Sequence, residues 1–152
     1  MRNSIILFVS ALSLLTSRAA FCNPSQNAPT DAQVAALIDK MVNAQTEHQA
    51  FADLEAMGCP AVPAIIRQMD DRRKLPDHSI SLRNKFPNAF EGVRYYGPEE
   101  VVDALAAILN QITEHDFGSI YNGGTEEDRK KAIQGWRHYL ESTPTSKICP
   151  ES

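Results

Sequence analysis

Beyond residue 20 the chain has no apolar run approaching the roughly twenty residues that a membrane-crossing helix requires, so no integral membrane segment is expected there. It also lacks a basic stripe interleaved with aromatics, and a formal net charge of -4 repels phosphate backbones, which excludes nucleic acid as an expected partner. The three cysteines, Cys22, Cys59 and Cys149, are scattered without C-x-x-C spacing, and His48, His78 and His138 have no partner at the i, i+4 spacing of a helical metal pair. Neither a metal nor a cofactor is expected. No G-x-S-x-G or comparable signature fixes a nucleophile, so binding is expected rather than catalysis.

At the amino terminus, Arg2 is followed by the apolar run Ile5 to Leu15 and by small residues at Ser17, Ala19 and Ala20. That order predicts a secretory signal peptide over residues 1–20, cleaved after Ala19 or Ala20; its core of about eleven residues is too short for a permanent anchor. Phe21 occupies the place where a lipidated Cys22 would need a small residue before it. The expected location is therefore periplasmic or secreted. Loss of Arg2 and Arg18 takes the formal charge from -4 to -6, and the remaining chain of about 130 residues suits one domain. In an oxidising compartment a disulfide between Cys59 and Cys149 would pin the tail to the helical hairpin expected over 51–71. Pairings through Cys22, or Cys59 as a small apolar residue at a turn, are the alternatives.

After a polar lead-in over 21–30, Thr30 and Gln33 predict a capping box that opens a helix with the stripe Val34, Leu37, Ile38, Met41 and Val42. Thr46 and Gln49 repeat that spacing before a helix carrying Phe51, Leu54 and Met57, which Gly58 should stop in a left-handed cap. Pro60 and Pro63 are tolerated only in a first turn, so a second helix should start there and run to about Arg72, with Val62, Ile65, Ile66 and Met69 on one face. Folded back, the two helices would form an antiparallel hairpin. Further on, Pro98, Glu99 and Glu100 predict the start of the most hydrophobic helix, through Val101, Leu105, Ile108 and Leu109. Thr125 with Asp128 should cap the last one, with Ala132, Ile133, Trp136, Tyr139 and Leu140 facing inward.

Gly58, Ala61, Val62, Pro63 and Ile65 make residues 51–71 resemble a HEAT-type helical repeat. The resemblance implies a scaffold that binds other molecules. Fewer than three repeats are present, which implies a globular bundle rather than a solenoid. The expected fold is all-α: a small bundle of HEAT-like antiparallel hairpins over 31–141, with a long irregular insertion at 73–97 and a tail at 142–152.

The insertion carries Ile80 and Leu82 in alternation and an apolar stretch from Gly92 to Tyr96, which permit two short strands. Its cationic and aromatic residues, Arg83, Lys85, Phe86, Phe90, Arg94, Tyr95 and Tyr96, are the types enriched in interface hot spots. Together with Asp116 and Tyr121 of the loop 115–121 they form the expected binding set. The expected function is an exported binding or scaffold protein that recognises a protein or peptide. An alternative is a small periplasmic hydrolase acting on cell-envelope material, with His115, Asp116 and Tyr121 as its polar centre. The acidic pairs Asp70-Asp71, Glu99-Glu100 and Glu126-Glu127 are expected to be helix-end charges and solvated salt bridges.

Overall fold

A computed structural model describes residues 28–84 and 92–149. The predicted leader, most of the lead-in, Cys22, Lys85, Phe86, Phe90 and the last three residues lie outside the described residues.

Five α-helices and a two-stranded ribbon are present among the described residues, so the architecture is mainly helical. The first helix, α1 (Asp31–Met41), opens on the Thr30–Gln33 capping box that the local spacing predicts. At α2 (Glu47–Ala56) the second predicted box does not form: the Thr46 hydroxyl donates instead to the Lys40 carbonyl at 2.7 Å, tying the start of α2 to the end of α1. Gly58 follows with φ of +62°, a conformation that a Cβ would strain, and a 3-10 turn at Cys59–Ala61 leads into α3 (Val62–Arg67) with Pro63 in its first turn. This helix is shorter than the stripe predicts. The chain leaves it through successive turns at Gln68 to Asp70, and the Asp71 carboxylate then takes the Arg73 N–H.

The hairpin expected within 51–71 is corrected in its pairing. Main packing contacts join α1 to α2, whereas α3 lies against α5, α1 and α4. An apolar stripe states that a helix buries one face; it does not state against which neighbour.

The centre of the core is α4 (Val101–Thr113), buried along nearly its whole length. Ala104, Ala106 and Ala107 let neighbours approach closely, and each fully buried Leu105, Ile108 or Leu109 contributes about 1.5 to 3 kcal/mol. Last comes α5 (Glu126–Ser142), opened by the predicted Thr125–Asp128 box, with Trp136 and Tyr139 buried. No helix among the described residues is long and apolar enough to cross a membrane.

Within the insertion, β1 (Ile80–Arg83) pairs antiparallel with β2 (Val93–Tyr96), in the register Ile80↔Tyr96, Ser81↔Tyr95, Leu82↔Arg94 and Arg83↔Val93. The purely helical, irregularly inserted fold is amended accordingly. Past α5 a 3-10 turn at Thr145–Lys147 brings Ile148 into the core, and Cys149 is disulfide-bonded to Cys59 across a sequence separation of 90.

Candidate binding surface

The ribbon sorts the expected binding residues by the two-residue period of a strand. Ile80, Leu82 and Tyr96 are buried on one face, and Arg94 shares that face. Ser81, Arg83, Val93 and Tyr95 stand on the other, exposed. Tyr95 is 76 % exposed and Val93 41 %, the two large hydrophobic side chains left open to solvent among the described residues. The Arg83 guanidinium beside them makes no ion pair with any described residue.

Arg94 and Tyr96 have a different job from the one their composition suggests. The Arg94 guanidinium lies 5.9 Å from the Tyr96 ring centroid and donates to the Asn110 side-chain oxygen at 3.3 Å. Tyr96 donates its hydroxyl to Gln111 at 3.3 Å, and burial pushes its titration up. These two residues fasten the ribbon to the carboxy-terminal end of α4. Lys85, Phe86 and Phe90 lie outside the described residues.

The loop after α4 is joined to the ribbon. Tyr121 packs edge-on against Tyr96 with ring centroids 5.7 Å apart, and Gly97 N–H donates to Asn122 Oδ1 at 2.8 Å. Asp116 and Tyr121 do meet: the Asp116 carboxylate accepts from Tyr121 at 3.2 Å, from Ser119 at 3.0 Å and from Gly118 N–H at 2.9 Å. Such a pattern is a side-chain-closed turn. The His115 ring packs against Tyr139, with centroids 4.8 Å apart, and hydrogen-bonds none of these groups. Among the described residues the Asp116 carboxylate is thus bonded to Gly118, Ser119 and Tyr121, and not to the His115 ring.

Two features escaped the sequence reading. Val93 belongs to the exposed face, and its i, i+2 relation to Tyr95 was the signal for that. The larger omission is a buried ion-pair network. Arg129 of α5 contacts Asp103 at 2.7 Å, Glu99 at 3.2 Å and Glu100 at 3.5 Å, and Glu100 is also bound by Arg72 at 2.6 Å and Lys74 at 2.9 Å. Burial opposes the Glu100 charge, but hydrogen bonds from Lys74 and Arg72 overcome it and hold the carboxyl below its usual range. This network joins the starts of α4 and α5 to the chain leaving α3. A groove of about 290 Å³ beside it is lined by Asp70, Arg72, Glu126 and Arg137, already paired as Asp70 with Arg137 and Arg72 with Glu126.

No group of three His, Cys, Asp or Glu among the described residues could hold a metal ion. The chain matches no protein-family model, no curated protein and no solved structure.

Proposed function

We propose that this chain is an exported binding protein which recognises a protein or peptide partner through the outer face of the β1–β2 ribbon. The observation that carries the reading is the exposure of Tyr95 and Val93 next to the Arg83 guanidinium, which makes no ion pair with any described residue. A rigid aromatic, an apolar neighbour and an arginine are the combination that concentrates binding energy at interfaces. In this proposal the helices, with the HEAT-like stretch 51–71 among them, serve as the scaffold, and α4 carries the ribbon through Asn110 and Gln111. The loop 115–121, braced by Asp116 and Tyr121, flanks the surface. Export through the leader at 1–20 places the partner in the periplasm or outside the cell.

The test is affinity capture from an envelope extract, followed by titration of the captured partner against Tyr95→Ala and Arg83→Glu. Each variant should weaken binding while the helical circular dichroism stays as in the parent. Full affinity in both variants would remove the ribbon face from consideration.

A further inference from the structure

The hydrogen-bond phase of the ribbon decides which of its edges is open. Residues 84 and 92 continue the register of the strands, and Asn84 N–H donates to the Gly92 carbonyl at 3.0 Å, marking a bonded pair. Bonded and non-bonded pairs alternate in an antiparallel ladder, so Leu82↔Arg94 and Ile80↔Tyr96 are bonded while Arg83↔Val93 and Ser81↔Tyr95 are not. The main-chain groups of the second set point away from the opposing strand.

On β1 this outward edge is turned to the body of the protein. Gln111 donates from its side-chain amide to the Arg83 carbonyl at 2.7 Å, and α2 packs against β1. On β2 the outward N–H and C=O groups are those of Val93 and Tyr95. No described residue takes them as hydrogen-bond partners. Open edges are ordinarily blunted with charge or proline, because they template pairing with another chain. Here the open edge carries valine and tyrosine.

We propose that β2 accepts an extended segment of the partner protein as a third strand, an inference that rests on the ribbon-binding reading above. Main-chain bonds to Val93 and Tyr95 would hold the segment, and its alternate side chains would specify it. On the outer face the side chain opposite Tyr95 should be apolar, and the one opposite Val93, in the row that runs on to Arg83, should be a carboxylate. A second copy of this chain fits less well. The described strands carry Ser81, Arg83, Val93 and Tyr95 on that face and offer no carboxylate to Arg83.

The probe is a fluorescently labelled synthetic peptide that alternates valine with threonine around a central glutamate. Its binding should slow amide exchange at Val93 and Tyr95. Val93→Pro removes an outward N–H and none of the ribbon's own bonds, a place where an edge strand tolerates proline, and it should weaken peptide binding about tenfold or more. The exchange measurement uses the native chain and so stands even where that variant folds poorly. Binding that leaves both amides exchanging at their free rate overturns strand addition but spares side-chain docking on the ribbon. Slowed exchange that follows protein concentration without peptide overturns the choice of partner in favour of self-association. Failure of the peptide to bind overturns the proposal outright, and the ribbon reading falls with it only where Tyr95→Ala also leaves the captured partner's affinity unchanged.

Discussion

Arg129 lies side-on against Asp103, with Nε and Nη2 each 2.7 Å from a carboxylate oxygen and both side chains buried. Asp103 Oδ2 also accepts the backbone N–H groups of Glu99 and Glu100 at 3.1 Å, so a single carboxylate closes the start of α4 and anchors α5. Removing the guanidinium leaves that buried charge with only partial compensation. Arg129→Ala should therefore lower the unfolding free energy by about 3 to 5 kcal/mol, read from urea denaturation. A loss below about 1 kcal/mol would show the pair to be no more than an exposed surface bridge in its energetics.

The disulfide between Cys59 and Cys149 closes most of the domain into one loop. Near it the tail is held by the buried Ile148, whose carbonyl accepts the Tyr139 hydroxyl at 2.6 Å. Cys149→Ser should cost about 4 to 5 kcal/mol by the loop-entropy argument, and tail amides around Ile148 should exchange faster. The parent measured with a reducing agent should match the variant. Equal stability in oxidised and reduced parent would contradict the constraint.

Gly135 is needed for what it lacks. A Cβ there would stand 2.5 Å from the Phe117 Cβ, a separation real side chains do not adopt. Phe117 fills this notch and meets Trp136 edge-on, with centroids 4.8 Å apart. Gly135→Ala should push the 115–121 loop off α5, costing about 1 to 3 kcal/mol net and shifting the fluorescence of the single Trp136. Unchanged emission would mean that the loop does not rest where it is placed.

Local chemistry was the legible part of this fold. The boxes at Thr30–Gln33 and Thr125–Asp128 need only residues three apart, and both form. Thr46 had the same neighbours, yet its hydroxyl found the Lys40 carbonyl across a turn that spacing does not describe. Period two was readable in Ile80 and Leu82. On β2, where Val93, Arg94, Tyr95 and Tyr96 are all partly apolar, the pattern does not say which parity faces inward, and composition alone groups Arg94 and Tyr96 with Tyr95. Arg129 is hidden for a related reason: one charge within the run Glu126 to Lys131 reads as solvated until a buried Asp103 is seen opposite it.

Two buried carboxylates should give opposite pH signatures. Burial pushes the Glu47 carboxyl above its ordinary 4.5, against the lowering effects of the Asp77 N–H bond at 2.9 Å and the His48 and His78 charges; the Asp77 carboxylate adds to the rise. Oε1 of Glu47 has no hydrogen-bond partner among the described residues. A raised folded value means that the folded chain holds this proton more tightly than the unfolded one. The stability it contributes is therefore fully present below 4.5 and is lost as pH rises through the folded value. Glu100, held below 4.5, contributes stability that is present above 4.5 and is lost as pH falls through its folded value. Urea midpoints measured across this range should separate the two groups. Glu47→Gln should flatten the part of the profile that declines with rising pH above 4.5. Glu100→Gln should be less stable than the parent at neutral pH and converge on it in acid. Profiles that merely run parallel to the parent's would mean that neither carboxyl changes its proton affinity on folding.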